Sequence, residues 1–182
     1  MNRMSDLQAE PAAVDLLAFE VGGARFGIEL TAVREVVRAV FITPLPGAPP
    51  TVEGIIDVRG TVVPVYDLRT RFGLPIQPLH PDHRLVTAWT GDRLVALHCE
   101  RTEWLVSVPA SAMERTGAVS LGDRRLAGVA KLPDGIILIT DLPAFLDDAE
   151  RTALDAALAA ASAPPHGTSE RAGGPPERGA ST

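Results

Sequence analysis

A single cysteine, Cys99, stands in 182 residues. It excludes an internal disulfide or a cage of several thiolates, suits a reducing compartment, and reads as a small buried hydrophobe. Basic residues are outnumbered: 17 Lys and Arg face 23 Asp and Glu, giving a net charge of −6. Lys and Arg dominate binding to a phosphate backbone, so nucleic acid is not an expected partner. No apolar run approaches the roughly 20 residues that cross a bilayer. The longest candidate is Gly135-Ile136-Ile137-Leu138-Ile139, and the N-terminal residues carry Asp6 and Glu10 without an apolar stretch of signal-peptide length. These absences predict a cytoplasmic chain with no direct membrane insertion.

Catalytic signatures are missing too. No glycine-rich loop ends in Gly-Lys-Ser or Gly-Lys-Thr, and no dinucleotide fingerprint follows a first strand. The histidines, His80, His83, His98 and His166, do not gather along the chain. His80-Pro81-Asp82-His83 offers two imidazoles and a carboxylate, but proline distorts the run and no further ligand cluster accompanies it, so no metal is expected. His98 beside Cys99 in a strand points to the opposite face, which rules out a thiol–imidazole dyad. Asp57, Asp67 and Asp141 each end an apolar strand. Paired carboxylates serve acid–base chemistry, but at strand ends they more commonly accept hydrogen bonds from turn amides. The chain therefore reads as a binding module rather than an enzyme, with no cofactor.

What is present is β patterning. Residues 1–15 lack a period, and residues 163–182 hold almost nothing that can pack, so both ends read as disordered. Between them, short β-branched runs alternate with Gly, Pro and Asp, the spacing of an all-β barrel or sandwich. Leu16-Leu17-Ala18-Phe19-Glu20-Val21 and Ala24-Arg25-Phe26-Gly27-Ile28-Glu29-Leu30 flank Gly22-Gly23, a hairpin with Phe26, Ile28 and Leu30 on the buried face. A second hairpin places Leu85-Val86-Thr87-Ala88-Trp89 and Arg93-Leu94-Val95-Ala96-Leu97 around Thr90-Gly91-Asp92, suggesting two similar barrels. Val33, Val36, Val37 and Val40 predict a short turn running into a strand. Pro44-Leu45-Pro46-Gly47-Ala48-Pro49-Pro50 reads as a stiff connector. Residues 52–58 and 61–68 form a hairpin that leaves Arg59 on an exposed tip beside Gly60. The apolar run 135–140 predicts a strand covered on both faces. Asp141 before Leu142-Pro143 resembles a helix start, Asp147 and Glu150 are spaced as a capping box, and a helix over 148–162 presents Leu154, Leu158 and Ala161 for weak docking.

From residue 16 to about 146 the chain resembles the CheW-like family of chemotaxis coupling proteins. The pattern starts at Phe19 and continues through Phe26-Gly27-Ile28-Glu29-Leu30 and Val33-Arg34-Glu35-Val36-Val37. Its most specific stretch is Pro46-Gly47-Ala48-Pro49, then Val52-Glu53-Gly54-Ile55-Ile56-Asp57-Val58-Arg59-Gly60-Thr61-Val62-Val63-Pro64-Val65-Tyr66-Asp67-Leu68-Arg69. The resemblance implies two small SH3-like β-barrels side by side, within a domain over 16–147 that divides near residue 78 and is followed by the C-terminal helix over 148–162. It also implies a non-catalytic adaptor joining the cytoplasmic tip of chemoreceptors to the regulatory domain of a CheA-type histidine kinase, recruited to membrane-associated arrays. Surface-motility or biofilm pathways are an alternative setting, and a small hydrolase using Cys99 or an Asp pair is a third. Receptor-side positions carried over are Val33, Glu35, Gly54 and Arg59. Asp57 stands where the family usually has Asn, and its added charge is expected to retune receptor choice. The second barrel departs further, at Ala96 and His98-Cys99-Glu100, so kinase-contact residues are not assigned.

Overall fold

The computed structural model describes residues 13–115 and 126–162. One antiparallel unit is the hairpin of β1 (Ala13–Val21) and β2 (Ala24–Glu29), closed by Val21 opposite Ala24. Gly22 and Gly23, at φ 60° and 78°, supply the left-handed pair that such a two-residue turn requires. A 3-10 turn over Leu30–Ala32 runs into β3 (Val33–Arg38), as the valine spacing predicts. β4 (Val52–Val58) and β5 (Thr61–Tyr66) form the hairpin whose tip is Arg59-Gly60. After a short helix α1 (Leu68–Phe72) come β6 (Arg84–Thr90), β7 (Arg93–Cys99) and β8 (Arg101–Pro109). β9 (Met113–Arg115), β10 (Leu126–Leu132), β11 (Gly135–Thr140) and α2 (Asp148–Ser162) complete the described chain.

These strands make two SH3-like sheets, ordered β8-β1-β2-β11-β10-β9 and β3-β6-β7-β5-β4. The division expected near residue 78 is therefore corrected. β6 and β7 lie beyond that point yet pair with β3 and β5, while the first sheet is assembled from both ends of the chain. The boundary follows strand pairing, which local patterning does not encode. The N-terminal reading is corrected as well: residues 13–15 belong to β1, with Ala13 opposite Pro109. The rest of that segment and the tail 163–182 lie outside the described residues.

Three apolar clusters explain why several strands are apolar at nearly every position. Leu16 and Ala18 face the interior of the first barrel with Val108, Ile137 and Ile139, whereas Leu17, Phe19 and Val21 face a core shared by both sheets. β7 repeats the division: Leu94 and Ala96 enter the second barrel, and Val95, Leu97 and Cys99 enter the shared core. With a side-chain period of two, such strands are buried on both faces. β11 is less enclosed than expected, since Ile136 is 55% exposed.

Helix α2 is an integral part of the shared core, a correction to the weak docking expected of it. Leu154 is fully buried, Ala157 nearly so, and Leu158 packs against them, but Ala161 faces water. The capping box is reciprocal: the Glu150 amide donates to Asp147 at 2.8 Å, and the Asp147 amide donates to Glu150 at 3.0 Å. Arg71 fastens the same end, donating to Glu150 at 2.6 Å and lying over the Phe145 ring. Asp141 opens no helix; it accepts the Ala144 amide in a turn.

Candidate functional site

A groove of about 660 Å³ lies between the two sheets. Leu17, Val36 and Val37 form its apolar part; Arg38, Arg84, Arg101, Thr102 and Asp82 line the remainder. Val36 is 39% exposed, and Leu105, opposite Leu17 across the β1/β8 ladder, is 56% exposed. Residues directly opposite on neighbouring strands share a face, so Leu105 extends the apolar strip. Three arginines against one aspartate make the rim basic on a chain whose net charge is −6. Patterning had placed Val36 in a strand, but only sheet packing shows that its face meets a groove.

The sequence-derived positions distribute unevenly around this surface. Glu35 and Arg59 meet: the Arg59 guanidinium donates to the Glu35 carboxylate at 3.0 Å. Asp57 shares that hairpin and accepts the Gly60 amide at 2.9 Å, which fixes the turn. Val33 packs against the shared core. Gly54 lies near the other end of β4, where a β-carbon would stand 2.3 Å from the Thr43 carbonyl oxygen, so its smallness serves strand packing. The structure thus joins Glu35 to Arg59 with Asp57 bracing the same tip, while Val33 packs on the shared core and Gly54 against Thr43.

The strand-end carboxylates behave as turn acceptors: Asp67 takes the Arg69 amide, as Asp57 and Asp141 take theirs. Cys99 is buried, its thiol pushed up to about 12 by desolvation, and it donates to the Arg84 carbonyl. A buried thiol held above its ordinary range is a poor nucleophile, which argues against Cys99 as the nucleophile of the hydrolase alternative. The histidines, however, require a correction. His83 and His98, distant in sequence, meet at 2.9 Å, with Glu53 2.9 Å beyond His98. A bulge in the β4/β5 ladder leaves Glu53 unpaired between Val52 and Gly54, and its carboxylate reaches His98 on β7. Among the described residues no three such groups are placed to hold a metal ion. No helix there is long and apolar enough to cross a membrane.

Two SH3-like barrels around a shared core, with a basic-rimmed apolar groove between them, define the class: an all-β protein of paired SH3-like barrels. The chain belongs to the CheW-like domain family, whose family model matches residues 15–150. It is 28% identical over 141 residues to chemotaxis protein CheW of Rhizobium meliloti strain 1021, covering 76% of this chain and 91% of that one. It is also 32% identical over 104 residues to Protein FrzA of Myxococcus xanthus, covering 57% and 64% of the two chains. The crystal structure of the scaffolding protein TtCheW from Thermoanaerobacter tengcongensis superposes with a TM-score of 0.70 at 26% identity, covering 76% of this chain and 96% of that one. The family is one of scaffolds and adaptors, and the names of its members support a chemotaxis coupling role.

Proposed function

We propose that this chain is a non-catalytic coupling protein that joins chemoreceptors to a CheA-type histidine kinase at membrane-associated receptor arrays. The supporting observation is the groove between the barrels: Leu17, Val36 and Leu105 offer apolar contact, and Arg38, Arg84 and Arg101 offer a cationic rim. A receptor tip with an apolar ridge flanked by carboxylates is complementary to it, with the apolar contact supplying affinity and the rim supplying orientation and rate. In this reading Val33, Glu35, Asp57 and Arg59 form the neighbouring receptor-side region, Gly54 supports it only through the packing of β4 on Thr43, and the kinase's regulatory domain docks on barrel ends. Titrating the purified chain with a cytoplasmic receptor fragment and with the kinase regulatory domain tests both arms. Saturable binding to each is expected, and absence of binding to every receptor and kinase of the source cell overturns the reading.

A second setting keeps the mechanism and changes the pathway. Protein FrzA, unlike the relatives named as chemotaxis proteins, carries no chemotaxis name, which is compatible with coupling in another receptor–kinase system. Capture of the native receptor partner from the source cell discriminates the two, because the receptor defines the pathway.

A further inference from the structure

His98 lies on the β7 face that carries Leu94 and Ala96 into the second barrel, only 1% exposed. Glu53 reaches it from β4 at Nδ1, and His83 meets it from the start of β6 at Nε2, each at 2.9 Å. His83 also receives the His80 amide at Nδ1, at 3.3 Å. The His80 amide can only donate, so His83 Nδ1 presents its lone pair and His98 Nε2 faces it as a donor. The His83 carbonyl accepts the Ala39 amide at 3.0 Å, just past β3, and a donor from Arg84 at 2.9 Å. Asp82 and Arg84, which flank His83, line the groove together with Val36, Val37 and Arg38 of β3. One imidazole therefore connects a buried chain of proton donors and acceptors to the wall of the docking surface.

We propose that Glu53, His98 and His83 form a proton-operated latch, in which neutral His83 holds the groove wall to the barrel and protonated His83 releases it, weakening docking. The inference rests on the reading of that groove as the receptor-docking surface. A proton on His83 Nδ1 turns an acceptor into a donor facing the His98 N–H, so the contact becomes repulsive. The charges around His83 come from four directions. His98 faces it from β7 with Glu53 behind, Arg69 from α1, Glu100 from the end of β7, and His80 from its own loop. Burial, then His98 and Arg69, hold His83 below its ordinary 6.5, while Glu100 opposes them. The lowered direction means that the latch is closed above 6.5 and is lost as pH falls through the folded-state value.

A pH titration of the full chain, followed by long-range imidazole and backbone amide nuclear magnetic resonance, tests the latch without any partner. The Ala39 and Arg84 amides are expected to shift with the His83 midpoint, and amides indifferent to that titration overturn the proposal. Docking of a purified cytoplasmic chemoreceptor fragment is then measured in parallel. Wild-type affinity is expected to fall about fivefold or more between about pH 7.5 and 5, whereas His83→Asn, an acceptor that does not titrate, holds within about twofold. Undiminished pH dependence in His83→Asn overturns the proposal. If that variant does not fold, the wild-type amide titration decides alone. Absence of docking at every pH, with the amides responding, overturns the groove reading and leaves the latch supported.

Discussion

Arg59, at the tip of the β4–β5 hairpin, donates to Glu35 of β3 at 3.0 Å while its side chain remains 76% exposed. The pair ties the tip to β3, the strand at the opposite edge of the same sheet, yet water surrounds the cation. Arg59 also adopts φ 54°, a left-handed conformation uncommon for residues other than glycine.

Arg59→Ala is expected to change folding stability by about 1 kcal/mol or less, the scale of exposed ion pairs. If the proposed receptor site is right, it reduces receptor binding by about 2 kcal/mol or more, as truncation of an interfacial arginine hot spot does. Arg59→Glu should be worse for binding, since Glu35 and Asp57 already place two carboxylates at this tip. Thermal unfolding and receptor titration of both variants separate the effects. Unchanged affinity, or an unfolded Arg59→Ala protein, makes Arg59 a structural residue.

Gly54→Ala should act through the fold. Its β-carbon would lie 2.3 Å from Thr43 O and 2.8 Å from the Ile42 side chain, a backbone clash that relaxation only partly relieves. The expected loss of stability is about 1–3 kcal/mol, with receptor affinity per folded molecule preserved. Denaturant unfolding alongside binding corrected for the folded fraction checks this. A stable variant that does not bind would make Gly54 a contact residue.

Leu154→Ala should cost about 2–5 kcal/mol, because the side chain is fully buried where α2 meets the shared core. Chemical denaturation measures it, and a loss under about 1 kcal/mol would mean that α2 docks only peripherally.

Acid sensitivity should centre on the same helix. Burial is the largest influence on Glu150 and would raise its pKa, but hydrogen bonds from Arg71, the Asp147 amide and Thr51, with the Arg71 charge, outweigh it and hold the carboxyl below its ordinary 4.5. A carboxyl depressed by folding stabilises the native state above its unfolded value, and that contribution is lost as pH falls through the folded value. Wild-type thermal midpoints should therefore decline below about pH 5, and those of Glu150→Gln should start lower and decline less steeply. Parallel slopes would remove Glu150 from the acid transition.

Cys99 should resist a thiol-labelling reagent until the protein unfolds, since burial pushes its thiol up to about 12. Cys99→Ala should leave receptor and kinase binding unchanged. Rapid labelling of the folded chain would show that the strand opens readily.

By itself the sequence determined the local units: the Gly22-Gly23 and Arg59-Gly60 hairpins, the turn into β3, the Asp147/Glu150 capping box and the turn-bound Asp57, Asp67 and Asp141. Each depends on residues a few positions apart, whose φ preference or side-chain reach is enough to select the structure. The motif from Pro46 to Arg69 was sufficient to suggest the family to which the whole domain proved to belong. Tertiary structure alone decided the exchange of strands between sheets, the burial of α2, the groove and the Glu53–His98–His83 chain. A period of two states that a strand has two faces, but not which neighbour covers each one. His83 and His98 meet only because β6 and β7 pair so that Leu85 lies opposite His98, and Glu53 joins them only because a bulge in β4 shifts the register there. Such contacts follow from how separate elements pack, information carried by the whole chain and by none of its local segments.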